Sequence, residues 1–122
     1  MGITPKRITE LASNEVFVFG SNADGSHGGG AARTAYEKFG AVWGEGHGHH
    51  GQSYGIDTMS GLEVAADEAR EFIAYASAHP ELRFLLTPVG CGIAGYRPEQ
   101  IAPMFVGMPE NVTIPEAFVP YL

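Results

Sequence analysis

Short apolar runs alternate along the chain with longer stretches in which apolar residues recur every three or four positions. Glu15–Gly20 reads Glu-Val-Phe-Val-Phe-Gly, a β-branched and aromatic run that predicts a buried strand. A polar, glycine-rich turn follows at Ser21–Gly30. Ala32, Ala35, Tyr36 and Phe39 then fall on one stripe of a predicted helix over Ala31–Phe39, with Gly40 as its stop. Ala41–Trp43 predicts a very short strand. Gly44–Gly51 alternates glycine with Glu45, His47, His49 and His50 and predicts irregular chain.

Ser53–Met59 reads as a further strand. Ser60-Gly61-Leu62-Glu63 has the form of a capping box, in which Ser60 accepts from the third helical N–H and Glu63 reaches back. The helix it opens carries Leu62, Ala65, Ala66, Ala69, Phe72, Ile73 and Ala76 at helical spacing and stops at His79-Pro80. Arg83–Val89 predicts a central strand with a proline near its end. Pro98–Phe105 predicts a short helix with proline at its first position, and Val112–Ile114 a last strand. Alternating strands and helices predict a layered α/β sheet with parallel pairs, in one domain without repeats or a linker.

Composition narrows the function classes. The 122 residues are 44% hydrophobic and 17% charged, a globular balance. No apolar run reaches the roughly 20 residues that a membrane-crossing helix needs, so no membrane partner is expected. Residues 1–11 lack the apolar core of a signal peptide, and Cys91 is the single cysteine. A cytoplasmic location is therefore expected. The net charge is −7, with seven Lys and Arg thinly spread. A nucleic acid is thus not an expected partner. An acidic protein still binds a small anion when backbone N–H groups supply the positive ends. Glycine points that way, because twelve of the 17 glycines lie between Gly20 and Gly61.

The segment Ser21-Asn22-Ala23-Asp24-Gly25-Ser26-His27-Gly28-Gly29-Gly30 joins a strand's C-terminal end to a helix start. In open α/β sheets this is where ligands bind. A helix start offers unpaired N–H groups, and three successive glycines let a ligand reach the backbone. No Gly-Lys-Ser/Thr follows, so it is not a P-loop. Asn22 has an amide suited to ribose hydroxyls, or equally to an Asx-turn. Asp24 is a turn residue or positions water, and His27 contacts phosphate, shuttles a proton or is a solvated loop residue.

Gly90-Cys91-Gly92-Ile93-Ala94-Gly95 matches Gly-x-Gly-x-x-Gly after a strand, with Glu116 about 20 residues on, as a dinucleotide fingerprint asks. Tyr96-Arg97-Pro98, however, delays the helix that the fingerprint's glycines should open. Cys91 is a conceivable nucleophile without a fixed basic neighbour, and is better read as a small residue in an amide-lined loop. The histidines of Gly46–Gly51 are better read as a mobile loop than as a metal site. Tyr54 lines a pocket or packs in the core.

The order Val16-Phe-Val-Phe-Gly-Ser-Asn22, Gly28-Gly-Gly-Ala-Ala32 and Leu86-Thr-Pro-Val-Gly-Cys-Gly-Ile-Ala-Gly-Tyr96 resembles a macro domain, the ADP-ribose-binding family. It is nearest a short macro-like branch of bacteria and phages with Phe-Gly-Ser-Asn, His-Gly-x-Gly-Ala-Ala, Gly-Gln-Ser-Tyr and Gly-Cys-Gly-Ile-Ala-Gly signatures. The overlap runs from about Asn14 to Phe118. The resemblance implies a three-layer α/β/α fold around a mixed sheet. It places Asn22 near the distal ribose, with Ser21 and Gly28, Gly29, Gly30 and Ala31 beside it. It wraps Gly90, Cys91, Gly92, Ile93, Ala94, Gly95 and Tyr96 around the diphosphate. Typical macro domains carry an adenine-recognising aspartate upstream of the asparagine; here that segment offers only Glu10 and Glu15.

The implied ligand is ADP-ribose or a related nucleotide diphosphate, free or on an ADP-ribosylated macromolecule, with no cofactor. Three functions follow. The first is binding with hydrolysis of an ADP-ribosyl linkage by Asn22 with His27 or Asp24. The second is a non-catalytic reader or sponge. The third is a Rossmann-like oxidoreductase.

Overall fold

The Val16–Phe19 alternation sets the architecture, because successive side chains on a strand enter opposite layers. Val16 and Val18 pack in one buried cluster, and Phe17 and Phe19 in another on the opposite face. A computed structural model describes residues 2–122. In chain order its elements are β1 (Ile3–Thr4), β2 (Glu15–Ser21), α1 (Gly30–Lys38), β3 (Gly48–His50), β4 (Ser53–Asp57), α2 (Leu62–Ala78), β5 (Arg83–Leu86), α3 (Pro98–Ile101) and β6 (Val112–Pro115). Short 3-10 turns cover Ala102–Phe105 and Glu116–Tyr121. The strands form one mixed sheet in the order β1-β6-β5-β2-β4-β3. All pairs are parallel except β3 with β4.

Helices cover both faces of this single α/β domain. Ala69, Phe72 and Ala76 of α2 and Ile101 of α3 pack with Phe84, Leu86 and Val112 on one side. Ala32 and Ala35 of α1 pack with Phe17, Phe19 and Phe39 on the other. Phe72 and Phe84 are fully buried with ring centroids 5.5 Å apart, edge to face. Burying such a side chain contributes about 2–3 kcal/mol by transfer alone. No helix among the described residues is long and apolar enough to cross a membrane.

Several expectations need correction. The histidine segment is not wholly irregular, because Gly48–His50 adds an antiparallel edge to β4, with His49 opposite Tyr54. Ala41–Trp43 forms no strand; it is bounded by Gly40 and Gly44, both at positive φ. The Ser60 capping box does not form. Ser60 Oγ instead donates to Asp57 Oδ2 at 2.6 Å, and Gly61 is the N-cap. The strand expected over Arg83–Val89 ends at Leu86, before Pro88. The helix over Pro98–Phe105 splits into α3 and a 3-10 turn containing Pro103. The two-residue β1 was not foreseen. It is too short to show a pattern and is defined by pairing Ile3 with Ile114.

Candidate functional site

The carboxyl ends of β2, β4 and β5 lie side by side, and the segments leaving them enclose a cavity of about 440 Å³. That is within the range of small-molecule sites, roughly 300–1,000 Å³. One wall is Gly28–Ala32 at the start of α1; the other is Gly90–Ala94. The loops begin in near contact, since a Cβ on Gly20 would lie 3.3 Å from the Gly90 nitrogen. They meet again further out, where a Cβ on Gly29 would lie 3.6 Å from Ile93 Cδ1.

Along both walls of this cavity several backbone N–H groups have no protein acceptor. The first helical hydrogen bond of α1 runs from Arg33 N–H to the Gly29 carbonyl. The amides of Gly30, Ala31 and Ala32 therefore have no partner within the helix, and the helix dipole adds its positive end. Gly28 and Gly29 also donate to no acceptor among the described residues. Across the cavity, the amides of Cys91, Gly95 and Tyr96 are used within the loop, bonding to Pro88, Gly92 and Gly90 carbonyls. Those of Gly90, Gly92, Ile93 and Ala94 are not used among the described residues. Gly90 takes φ of 77°, a left-handed conformation that a side chain would resist. No Asp, Glu, His, Lys or Arg lines the cavity. Its lining therefore offers an anion peptide N–H groups and neutral polar side chains rather than a cation.

The side chains expected at the site divide. Ser21 lines the cavity, and its hydroxyl is buried without a hydrogen-bond partner. Asn22 also lines it, but its amide clasps its own loop: Nδ2 donates to the Ser26 carbonyl, and the Ser26 N–H donates to Oδ1, both at 2.9 Å. One amide hydrogen and further lone pairs are left for a ligand. Asp24 is exposed outside the cavity lining. His27 is buried away from the lining, 1% exposed, with Nε2 at 2.8 Å from the Val42 carbonyl. Its ring packs edge-on against Phe19 and Trp43, so it is neither solvated nor in reach of a ligand between the loops. Cys91 lines the cavity with its thiol pushed up by burial, which disfavours the nucleophilic thiolate. Gly95 and Tyr96 close the second loop from outside the lining.

Thr58 and Met59, after β4, and Thr87, after β5, complete the walls. Sequence reasoning did not single them out. Their signal was positional, since each follows a parallel strand whose carboxyl end shares the ligand edge.

No protein-family model, curated protein or solved structure matches the chain.

Function therefore has to be argued from the chemistry of the cavity. The dinucleotide fingerprint at Gly90–Gly95 does not open a long helix; α3 has four residues and starts at Pro98. Glu116 lies against a different cavity. Both features weaken the oxidoreductase reading. Glu10 is exposed, and Glu15 accepts from the Ala12 N–H at 2.8 Å, so neither lines the cavity as an adenine-recognising acid.

The histidine segment has its own organisation. Nδ1 of His47 is 2.6 Å from Glu68 Oε2, and Nε2 is 3.1 Å from Glu71 Oε2. Ligand atoms of the three residues lie within 4.8 Å of one another. They are the described residues with metal-like spacing; α2 supplies the carboxylate pair that the local sequence lacks. The segment also supports the first loop. Gly46 packs so tightly on Asn22 that a Cβ would overlap its carbonyl oxygen.

Proposed function

We propose that the protein binds ADP-ribose or a related nucleotide diphosphate in the cavity between Gly28–Ala32 and Gly90–Ala94. The observation that carries this reading is a cavity free of charged side chains whose two walls carry backbone N–H groups without protein acceptors. Such amides cradle a diphosphate without the penalty of stripping water from lysine or arginine. The macro-domain-like motifs favour the same ligand.

Binding without turnover is the form best supported. Hydrolysis at a ribosyl carbon calls for a group that activates or positions water, and the cavity lining offers no carboxylate or imidazole. Asn22 would orient the ribose with the donor left after its clasp on Ser26. Calorimetry with ADP-ribose tests the reading: one-to-one binding is expected, lost in Gly29→Glu. Release of ADP-ribose from a modified protein, abolished by Asn22→Ala, would replace the reader by a hydrolase.

A further inference from the structure

Of the seven Lys and Arg, four are in ion pairs: Arg33 with Glu37, Arg70 with Asp67, Arg83 with Glu15 and Arg97 with Glu99. The other three, Lys6, Arg7 and Lys38, pair with no carboxylate among the described residues. All three line one cavity of about 600 Å³, where the single carboxylate is Glu116. In a chain of net charge −7, convergence of these three Lys and Arg side chains on one cavity points to an anion site.

The fold explains the opening. Helices α2 and α3 pack on one face of the sheet, and α1 is the helix on the other, over β2. Beyond α1, that second face is closed by the segment before β2, whose Ile8 and Leu11 join the Phe17 cluster. The cavity lies between this segment, the side of α1 that bears Thr34 and Lys38, and the chain after β6. Phe17, Ile8 and Pro88 give it apolar surface beneath the cationic rim. Ala31, Thr87 and Pro88 line both this cavity and the one between the glycine loops. The two cavities are therefore neighbours, with Ala31, Thr87 and Pro88 between them.

We propose that this second cavity takes the nucleoside end of the same ligand and that its cations bind a further phosphate carried there. The preferred ligand is then a nucleotide diphosphate with an additional phosphate on its nucleoside. The inference rests on the nucleotide-binding reading above. The apolar surface suits a base, whereas a neutral nucleoside would leave Lys6, Arg7 and Lys38 with Glu116 as the one carboxylate of the cavity. A phosphate monoester brings close to two negative charges and three acceptor oxygens.

Calorimetry of the whole chain with ADP-ribose and with ADP-ribose 2′-phosphate tests this, at low and at physiological salt. The phosphorylated compound should bind at least about tenfold more tightly at low salt. That advantage should shrink as salt screens the exposed cations. It should fall below about twofold in a Lys6→Ala, Arg7→Ala, Lys38→Ala triple variant and widen in Glu116→Gln. The four side chains are exposed, and a thermal melt confirms that each variant folds. Equal affinity for the two compounds, or an advantage that survives the triple substitution, overturns the inference and leaves nucleotide binding standing. Failure of both compounds to bind overturns both.

Discussion

Gly29 and Ile93 face each other across the mouth of the cavity, with room between them for one methyl group: a Cβ on Gly29 would rest 3.6 Å from Ile93 Cδ1. Gly29 also has φ of −154°, extended backbone open to any residue. Gly29→Ala should therefore fold with a melting temperature within a few degrees of the parent. Gly29→Glu should fold as well but place a carboxylate where the diphosphate is proposed to lie. Like charges brought together in a site cost several kcal/mol, an affinity loss above about 100-fold. Melting curves and calorimetry on the two variants check both halves of the expectation.

Gly46 is the opposite case. A Cβ there would overlap the Asn22 carbonyl oxygen and crowd Ser21 Oγ at 3.1 Å. Gly46→Ala must push the histidine segment away from the first loop. Overpacking of this kind costs about 1–3 kcal/mol, which lowers the melting temperature by roughly 5–10 °C at this chain length. Unchanged stability in Gly46→Ala would contradict the packing of these segments.

His27 acts as a wedge under the first loop. Its ring fills the space between Phe19 and Trp43, and Nε2 reaches the Val42 carbonyl. His27→Ala should cost about 2–4 kcal/mol through the cavity left and the lost hydrogen bond. Urea denaturation measures it. Full stability together with loss of an enzymatic activity would instead make His27 catalytic.

Much of the fold was legible because the β2 alternation, most of the α1 and α2 stripes and the glycine punctuation carry local period and chemistry; Tyr36 and Leu62, expected on those stripes, are instead exposed. What escaped depended on partners distant in sequence. β3 forms because Gly48–His50 meets Ser53–Gly55, and β1 because Ile3 and Thr4 meet Ile114 and Pro115. Ser60 has no capping role because the helix starts one residue later, with Gly61 as N-cap, and its hydroxyl instead donates to Asp57, three residues back. At the site, the glycine loops were read from their position after strands. The burial of His27 was not legible, since the Val42 and Glu45 carbonyls that receive its ring lie 15 and 18 residues away. Asn111 was missed for the same reason: its Nδ2 lies 3.0 Å from the Ala76, His79 and Leu82 carbonyls and secures the end of α2.

Tyr54 gives the protein an alkaline limit. Burial pushes its hydroxyl well above the ordinary tyrosine value, and the nearby Glu68 and Glu71 carboxylates and Tyr75 add to the shift. Tyr75 is raised too, by burial and then by Glu81. The folded state thus holds protons that the unfolded chain releases near pH 10. Stability is untouched below that pH and falls as pH rises through it. The urea midpoint should drop above about pH 10, less steeply in Tyr54→Phe. Parallel curves for the two proteins would contradict the burial of this hydroxyl.

The central claim is that two facing runs of backbone amides hold a diphosphate. The most direct measurement is the amide NMR spectrum of the labelled protein during titration with ADP-ribose. The account predicts saturable shifts concentrated at Gly28–Ala32 and at Gly90, Gly92, Ile93 and Ala94, with Gly29→Glu abolishing them. A spectrum unchanged at millimolar ADP-ribose, or shifts confined to residues outside both loops, would contradict it.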